Sequence, residues 1–534
     1  MMENGKEYYL REDVYFEPLF NSWYAWPYLI PPVTAARYVS KTHKRIMKSF
    51  VNNSKLHVLA NKENVLTGSE FLDASENQVD VVKTLIDKIE HDLPVIEDLS
   101  QAIDKLEEVL RGHISGESIE YLYERIPDIL RGYVELHMDL NHNVSYRLIE
   151  PLLYQSDLYQ KSLQSVSFGL LDASLKRPFV FSTPRLADDA HIQIQLDFTS
   201  DDLDLLLTSR DVAVSGEKLN EIFHSYPTCG GLGHARLFTE DKPEGQRLEP
   251  GTNEISLRFV GHAGFLLQTD DVAILVDPLI ANKDSENRDK IFSYADLPQK
   301  IDYICLTHNH QDHINLETLL QLRHRTDLVL VPKNNGGSLP DPSMRLILQT
   351  LGFKVRELDD MEQLGLNSGS ITAIPFLGEH GDLNVRSKCA WLLKIHGKAL
   401  FMGADSSNID QRLYEHLKKL IGKVDVLALG MECVGAPYTW LYGALHTETP
   451  SRKIRESRRL NGSDFEQAKM MINAFGPSQV YIYALGQEHW YAHLMGINYE
   501  DDSRQITETQ RTLEYCQEAG IPAENLVGRR ELQL

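Results

Sequence analysis

Four metal-binding side chains lie within six residues, directly after an apolar stretch of the chain. The stretch, Ile301–Leu306, has the length and composition of a buried β-strand. The side chains that follow are three imidazoles and one carboxylate: His308, His310, Asp312 and His313. Both types bind divalent transition metals, and α/β folds place their chemistry in strand-end loops. A polar loop that only satisfies backbone groups is the alternative, but four ligands so close together predict two ions side by side.

The hydrophobic pattern of the sequence differs before and after one polar stretch. Residues 238–253 contain two prolines and two glycines among polar side chains, which predicts a linker. Before it, residues 1–237 combine a long amphipathic pattern at 79–110 with an alternating strand pattern at 192–198, which predicts a mixed α+β N-terminal domain. After it, residues 254–534 alternate short β-rich and helical segments. This alternation predicts a layered α/β domain.

Charge and cysteine content limit the partners and the compartment. The chain of 534 residues carries 54 Lys and Arg against 77 Asp and Glu, a net charge of −23, which disfavours nucleic acid and membrane surfaces as partners. Its five cysteines are scattered, as expected in a reducing compartment, and no apolar run is long enough to span a bilayer. The first 14 residues are charged throughout and lack a signal-peptide core, so we expect a cytoplasmic protein.

The metal motif and the segment before it resemble a known fold. HxHxDH at 308–313, preceded by FVGHAGFLLQTDDVAILVDPL at 259–279, is similar to the metallo-β-lactamase fold. The resemblance covers roughly residues 254–534. It implies an α/β fold built as an αββα sandwich, with a dinuclear metal site along one edge. It also implies three further ligands: a third ligand of the first metal, a bridging aspartate and a last histidine.

Each implied ligand has a candidate, and one candidate departs from the hydrolase pattern. Glu379 falls near the position where hydrolases usually have a histidine. Asp405, at the end of LFMGAD, is the bridging candidate, although it could instead cap a helix. His489 and His493 compete for the last position, and we favour His493. The predicted set is then His308, His310 and Glu379 on one metal, Asp312, His313 and His493 on the other, and Asp405 shared.

A carboxylate in place of an imidazole makes the site harder and more anionic, which suits iron or manganese better than zinc. With this ligand set and a large N-terminal domain, the chain resembles the diiron β-hydroxylases of nonribosomal peptide synthesis. The resemblance implies two iron ions bridged by an oxo or hydroxo group, dioxygen as cosubstrate and an external two-electron donor or electron-transfer protein. It implies as substrate an amino acid tethered as a thioester to a carrier protein of a peptide synthetase. It also implies a homodimer whose N-terminal domain shapes the substrate entrance.

Two further features are compatible with this function. Glu432 follows the predicted strand 424–429, so it is expected at the metal edge, where it could orient ligands or move protons; a solvated loop glutamate is the alternative. Residues 451–459 form a basic cluster that could dock an acidic carrier protein or simply be a solvated face. The competing function is a dizinc hydrolase of an ester, lactam or phosphoester. Glu379 disfavours that alternative.

Overall fold

Two seven-stranded β-sheets packed face to face form the C-terminal part of the protein. The computed structural model describes residues 2–62, 70–172, 176–284, 286–496 and 499–534. In sheet order, the first sheet consists of Val355–Leu358, Thr326–Pro332, Ile301–Cys305, Ala273–Val276, Gly264–Gln268, Ser256–Gly261 and Arg530–Leu532. The second consists of Gln363–Gly365, Gly369–Ile374, Ala390–Ile395, Lys398–Met402, Val426–Gly430, Gln479–Tyr483 and Ala523–Asn525.

Apolar side chains from both sheets meet in a shared core, and helices cover the outer faces. Phe265 and Ile274 of the first sheet pack in the same buried cluster as Trp391 and Met402 of the second. The helices of this part are Leu316–Leu322, Met344–Thr350, Gln411–Ile421, Thr439–Tyr442, Arg452–Ser457, Phe465–Phe475, Ala492–Met495 and Arg504–Glu518. The predicted αββα sandwich is therefore confirmed.

The N-terminal part is a mixed α+β structure, as predicted. Its helices are Pro32–Arg37, Lys44–Asn52, Ser54–Lys62, Val79–Asp87, Pro94–Arg111, Glu150–Tyr154, Asp201–Thr208 and Gly216–Ser225. Its strands are Glu7–Leu10, Val14–Phe20, Trp23–Tyr24, Val134–Met138, Val144–Leu148, Gln164–Leu170, His191–Ile194, Val214–Ser215, Thr228–Cys229 and Phe238–Thr239. Proline at the start of Pro94–Arg111 begins that helix, because its fixed φ suits a first helical position.

One continuous apolar cluster joins the N-terminal part to the outer face of the first sheet. Phe16 and Val33 belong to the same cluster as Leu266 and Ile304. The strand Phe238–Thr239, inside the predicted linker, pairs with Glu7–Leu10. The domain boundaries at 237 and 254 stay a prediction. Among the described residues, no helix has both the length and the apolar character needed to cross a bilayer.

Candidate metal centre

Parallel strands of both sheets end at one edge of the sandwich and deliver polar side chains there. In the first sheet, Asp277 and His308 follow two parallel neighbours, Ala273–Val276 and Ile301–Cys305. In the second sheet, Asp405 and Glu432 also follow parallel neighbours. Because the carboxyl ends of parallel strands meet at the same sheet edge, four segments distant in sequence come together there.

At this edge, three overlapping clusters of donor atoms form among the described residues. Within each cluster, the donor atoms lie within 4.8 Å of one another. The clusters are His308, His310 and Glu379; His308, His313 and Asp405; and His262, Asp312 and His313. The structure thus brings together six of the seven predicted ligands and adds His262.

Asp405 lies between the two outer clusters. Its Oδ2 is 3.1 Å from His313 Nε2 and 3.6 Å from His308 Nε2. Its Oδ1 is buried and accepts no hydrogen bond from the described residues. A Cβ atom on Gly430 would stand 2.4 Å from that oxygen, so the neighbouring strand approaches closely only because it carries glycine. A buried carboxylate oxygen without a donor is suited to a cation.

Glu379 is held in a tight loop that directs its carboxylate to His310. It lies in the short strand Glu379–His380, which pairs with Leu460–Asn461, and its φ of 67° is in the left-handed region. Such a φ is unfavourable for a residue with a side chain and is typical of functional sites. Glu379 Oε1 is 3.0 Å from His310 Nδ1. Burial raises the pKa of this carboxyl, because charge is poorly solvated there.

Hydrogen bonds orient the three motif histidines so that one nitrogen of each faces the centre. His313 Nδ1 is 2.8 Å from Asp277 Oδ2, and His308 Nδ1 is 3.0 Å from the Thr307 hydroxyl. His310 Nε2 is 3.0 Å from the hydroxyl of Tyr442. Each contact fixes a ring orientation and leaves the other nitrogen free for a metal. Burial also lowers the pKa of His308, which favours the neutral form that binds metals.

The prediction that His493 is the last ligand needs correction. His493 lies in the helix Ala492–Met495, close to Arg177, and belongs to none of the donor clusters. The alternative, His489, is exposed. The residues that follow the strand Gln479–Tyr483, Ala484 to Gly486, line the metal cavity, but neither histidine joins a donor cluster.

His262 stands where His493 was expected. It occupies the turn between the strands Ser256–Gly261 and Gly264–Gln268, and its Nε2 is 2.9 Å from Asp312 Oδ2. Its backbone N–H donates to the buried carboxylate of Glu488 at 3.0 Å. The available signal was the GHAG sequence at 261–264, in which two glycines around a His-Ala pair indicate a turn. Although burial opposes ionisation of Asp312, His313 and His262 hold the pKa of its carboxyl below the usual range.

Glu432 lines the same cavity as His310, Asp312 and Asp405. Its Oε1 accepts a hydrogen bond of 2.6 Å from the hydroxyl of Tyr499. Burial raises the pKa of this carboxyl well above its usual range, and the bond from Tyr499 offsets only part of that rise. Of the two interpretations, a group at the metal edge fits this geometry better than a solvated loop residue does.

Aromatic rings from both parts of the protein also line the cavity. They are Phe179 and Phe181 of the N-terminal part and Trp440 of the helix Thr439–Tyr442. Phe179 lies 5.6 Å from Phe181 and 6.2 Å from Trp440, measured between ring centroids. These rings form an aromatic wall of the cavity.

The donor set fits two metal ions. It offers four imidazoles and the three carboxylates of Asp312, Glu379 and Asp405. His308 Nε2 and His310 Nδ1 lie 3.2 Å apart. When both nitrogens carry a lone pair, a cation bound by both stabilises this close approach. The mixture of imidazole and carboxylate suits iron or manganese. Fold and site together define a metallo-β-lactamase-fold protein with a carboxylate-rich dinuclear centre.

Comparison with known proteins identifies the family. The diiron non-heme β-hydroxylase N-terminal domain matches residues 9–242, and the β-lactamase superfamily domain matches residues 273–449. The 4-amino-L-phenylalanyl-[CmlP-peptidyl-carrier-protein] 3-hydroxylase of Streptomyces venezuelae is 35% identical over 538 residues, which span 99% of this chain and 100% of that protein. The chain belongs to the diiron β-hydroxylase family. It is therefore an enzyme, a monooxygenase that uses two iron ions and dioxygen.

Solved structures agree with this membership. The crystal structure of CmlA, a diiron β-hydroxylase from Streptomyces venezuelae, superposes with a TM-score of 0.90 at 35% identity, over 99% of this chain and 100% of that one. A metal-dependent hydrolase of Hyperthermus butylicus is 36% identical over only 76 residues, 14% of this chain and 31% of that protein. The full-length likeness favours the hydroxylase over the hydrolase alternative.

Proposed function

We propose that this enzyme hydroxylates the β-carbon of an amino acid held as a thioester on a carrier protein. In this reaction one oxygen atom of dioxygen enters the substrate, and the other leaves as water with two protons and two electrons. When bound, the two iron ions supply the activation of dioxygen. The observation that carries the proposal is the carboxylate of Glu379 at 3.0 Å from His310, where hydrolases usually have a third imidazole.

The clusters support a specific assignment of ligands. His308, His310 and Glu379 would hold one iron, and His262, Asp312 and His313 would hold the other. Asp405 would serve both, because its Oδ2 lies near His308 and His313. The buried carboxylates of Glu379 and Asp405 and the partly buried Asp312 would supply the negative charge that stabilises iron in its higher oxidation states.

Glu432 holds a proton beside the centre. Burial raises the pKa of this carboxyl and so favours its protonated form, and the hydrogen bond from Tyr499 fixes its orientation. It therefore serves as a local proton donor for the oxygen atom that leaves as water.

The substrate proposal rests on the relative from Streptomyces venezuelae, whose name specifies a carrier-bound aromatic amino acid. An apolar and aromatic cavity wall is compatible with such a side chain. The same proposal includes three features that the resemblance to the family implies: a carrier that belongs to a peptide synthetase, an external electron donor and a homodimer.

Metal analysis with a product assay tests the function. Protein purified without added metal should contain two iron ions per chain. With reductant and dioxygen, it should add one oxygen atom to 4-amino-L-phenylalanine loaded on a carrier domain, as measured by mass spectrometry. We expect Glu379→His to lose hydroxylation and to retain more zinc, since a third imidazole suits zinc.

His493→Gln is the matched control, because His493 is buried like Glu379 but lies outside the donor clusters. It should keep both iron ions, and its unfolding midpoint shows whether the fold survives. Two zinc ions with ester hydrolysis in the wild-type protein would overturn the proposal. An unchanged hydroxylation rate in Glu379→His would show that Glu379 is not a ligand.

A further inference from the structure

A second cleft adjoins the metal cavity. The two share the rings of Phe179, Phe181 and Trp440 as a common wall. Beyond these rings, the second cleft is lined by side chains that do not touch the metal cavity. They include four threonines and three basic residues, Thr42, Thr439, Thr447, Thr449, Lys41, Arg45 and Arg455. The cleft therefore combines the aromatic wall that it shares with the metal cavity with hydroxyl-bearing and basic side chains of its own.

Most arginines of the basic cluster at 451–459 already have partners within the protein. Arg452 pairs with Glu456 one helical turn away at 2.5 Å. Arg458 Nε donates to the Gly381 carbonyl at 2.6 Å, and Arg459 Nε donates to the carbonyl of Gly435 at 2.8 Å. These contacts fix local structure rather than present charge to a partner.

Arg455 differs from these neighbours. It lines the second cleft, and its Nε is buried without a hydrogen-bond partner among the described residues. A buried guanidinium N–H without an acceptor is costly, so an acceptor is expected at this position when the cleft is filled.

Two cations from the N-terminal part line the same cleft. Lys41 Nζ lies 2.5 Å from Asp104, but Asp104 also accepts from the buried Arg37 at 2.7 Å, so one carboxylate serves two cations. Arg45 pairs with Glu70. The lining thus holds three cations and one carboxylate, a local positive excess in a chain whose net charge is −23. Such a site favours an anionic ligand.

We propose that this cleft binds the phosphopantetheine arm of the carrier protein, with the arm's phosphate at Arg455 beside Lys41 and Arg45. The inference rests on the proposed function and adds to it a binding site for the arm. The arm joins a phosphate to a chain of two amides that ends in the thioester. The cleft offers a group for each part of the arm: cations for the phosphate, threonine hydroxyls for the amides, and the aromatic wall shared with the metal cavity for the thioester end. Arginine donates well to phosphate oxygens, and threonine hydroxyls bond to amides.

Two small probes that differ only in the phosphate test the site. Binding of 4′-phosphopantetheine and of pantetheine to the iron-loaded full-length enzyme is measured by calorimetry at low salt. We expect the phosphorylated probe to bind about tenfold more tightly to the wild-type enzyme, as one charged hydrogen bond implies. Arg455→Gln should remove this difference and leave pantetheine binding unchanged. Raising the salt should reduce the difference in the wild type.

Arg452→Gln is the matched control. Arg452 lies on the same short helix, but it is exposed and paired with Glu456, so its loss should preserve the tenfold preference. A preference that survives in Arg455→Gln, equal weakening of both probes, or no binding of either probe to the wild type would overturn the inference.

Failure of the proposed function is distinguished separately. It would appear as missing iron or missing product with the loaded carrier, whereas failure of this inference leaves both intact.

Discussion

At one end of the metal centre a carboxylate orients a proposed ligand, and at the other end a phenol does. His313 Nδ1 contacts Asp277, which also accepts from the Thr307 backbone N–H at 2.8 Å and lies within the sandwich. His310 Nε2 contacts Tyr442, whose ring packs edge to face on Tyr28 of the N-terminal part at 5.7 Å. We name these the carboxylate-supported end and the tyrosine-supported end.

Because their supporting residues differ, the two ends of the centre depend on different parts of the molecule. A carboxylate partner increases the basicity of an imidazole ligand, whereas a neutral phenol mainly fixes its orientation. The carboxylate-supported end is thus complete within the sandwich. The tyrosine-supported end receives packing from the N-terminal part.

Among the substitutions that compare the two ends, Asp277→Asn is expected to have the largest effect on the centre. The substitution keeps the shape but removes the charge that supports His313, so we expect a loss of about 10- to 100-fold in iron affinity or activity. Iron per chain and product formation are the measurements. Asp302→Asn is the control, since Asp302 accepts a backbone hydrogen bond at the far end of the same sheet. Full iron content and full activity in Asp277→Asn would remove the distinction between the two ends.

A smaller effect is expected from Tyr442→Phe. His310 loses one neutral hydrogen bond, and the aromatic packing on Tyr28 remains, so activity should fall by about two- to tenfold. Iron content should stay at two per chain. Iron loss as large as in Asp277→Asn would show that both ends depend equally on their partners.

The smallest effect on the centre is expected where the N-terminal part makes a separate contact. Glu150 accepts hydrogen bonds from the Ser343 backbone N–H at 2.8 Å and from Asn334 at 3.1 Å, both in the sandwich. Burial raises the pKa of its carboxyl from 4.5 to about 7. Between these pH values the folded protein binds more protons than the unfolded chain. Stability therefore falls as pH rises through this window, by an amount on the order of 3 kcal/mol.

Glu150→Gln should flatten this pH dependence, because glutamine is neutral throughout and still offers an acceptor to Ser343. Urea midpoints at pH 5 and pH 8 measure the effect, with exposed Glu120→Gln as the control. Iron content and the absorption spectrum should not change. A change in the iron site of Glu150→Gln would mean that the N-terminal part influences the centre through more than Tyr28 and the aromatic wall of the cavity.

Local sequence patterns predicted the parts of the site that are local in the chain. His308, His310, Asp312 and His313 share one loop after one strand, so their proximity needed no tertiary information. Asp405 and Glu432 follow predicted strands, and parallel pairing brought them to the same edge.

His262 and His493 show where sequence patterns were insufficient. The nearness of His262 to Asp312 depends on a hairpin turn that folds back over the sheet edge, and its sequence neighbours do not indicate the partner. The i, i+4 spacing of His489 and His493 described a helical face but not the direction in which the chain leaves its strand. Tyr28 and Phe179 act across the contact between the two parts, which no local pattern specifies.

The absence of a side chain at Gly430 limits which substitutions this centre can accept. Even one methyl group there would overlap Oδ1 of Asp405 and the carbonyl of Ala404. Any larger residue at this position would have to displace the Asp405 carboxylate. Backbone without a side chain is thus as necessary to the site as the donor side chains are.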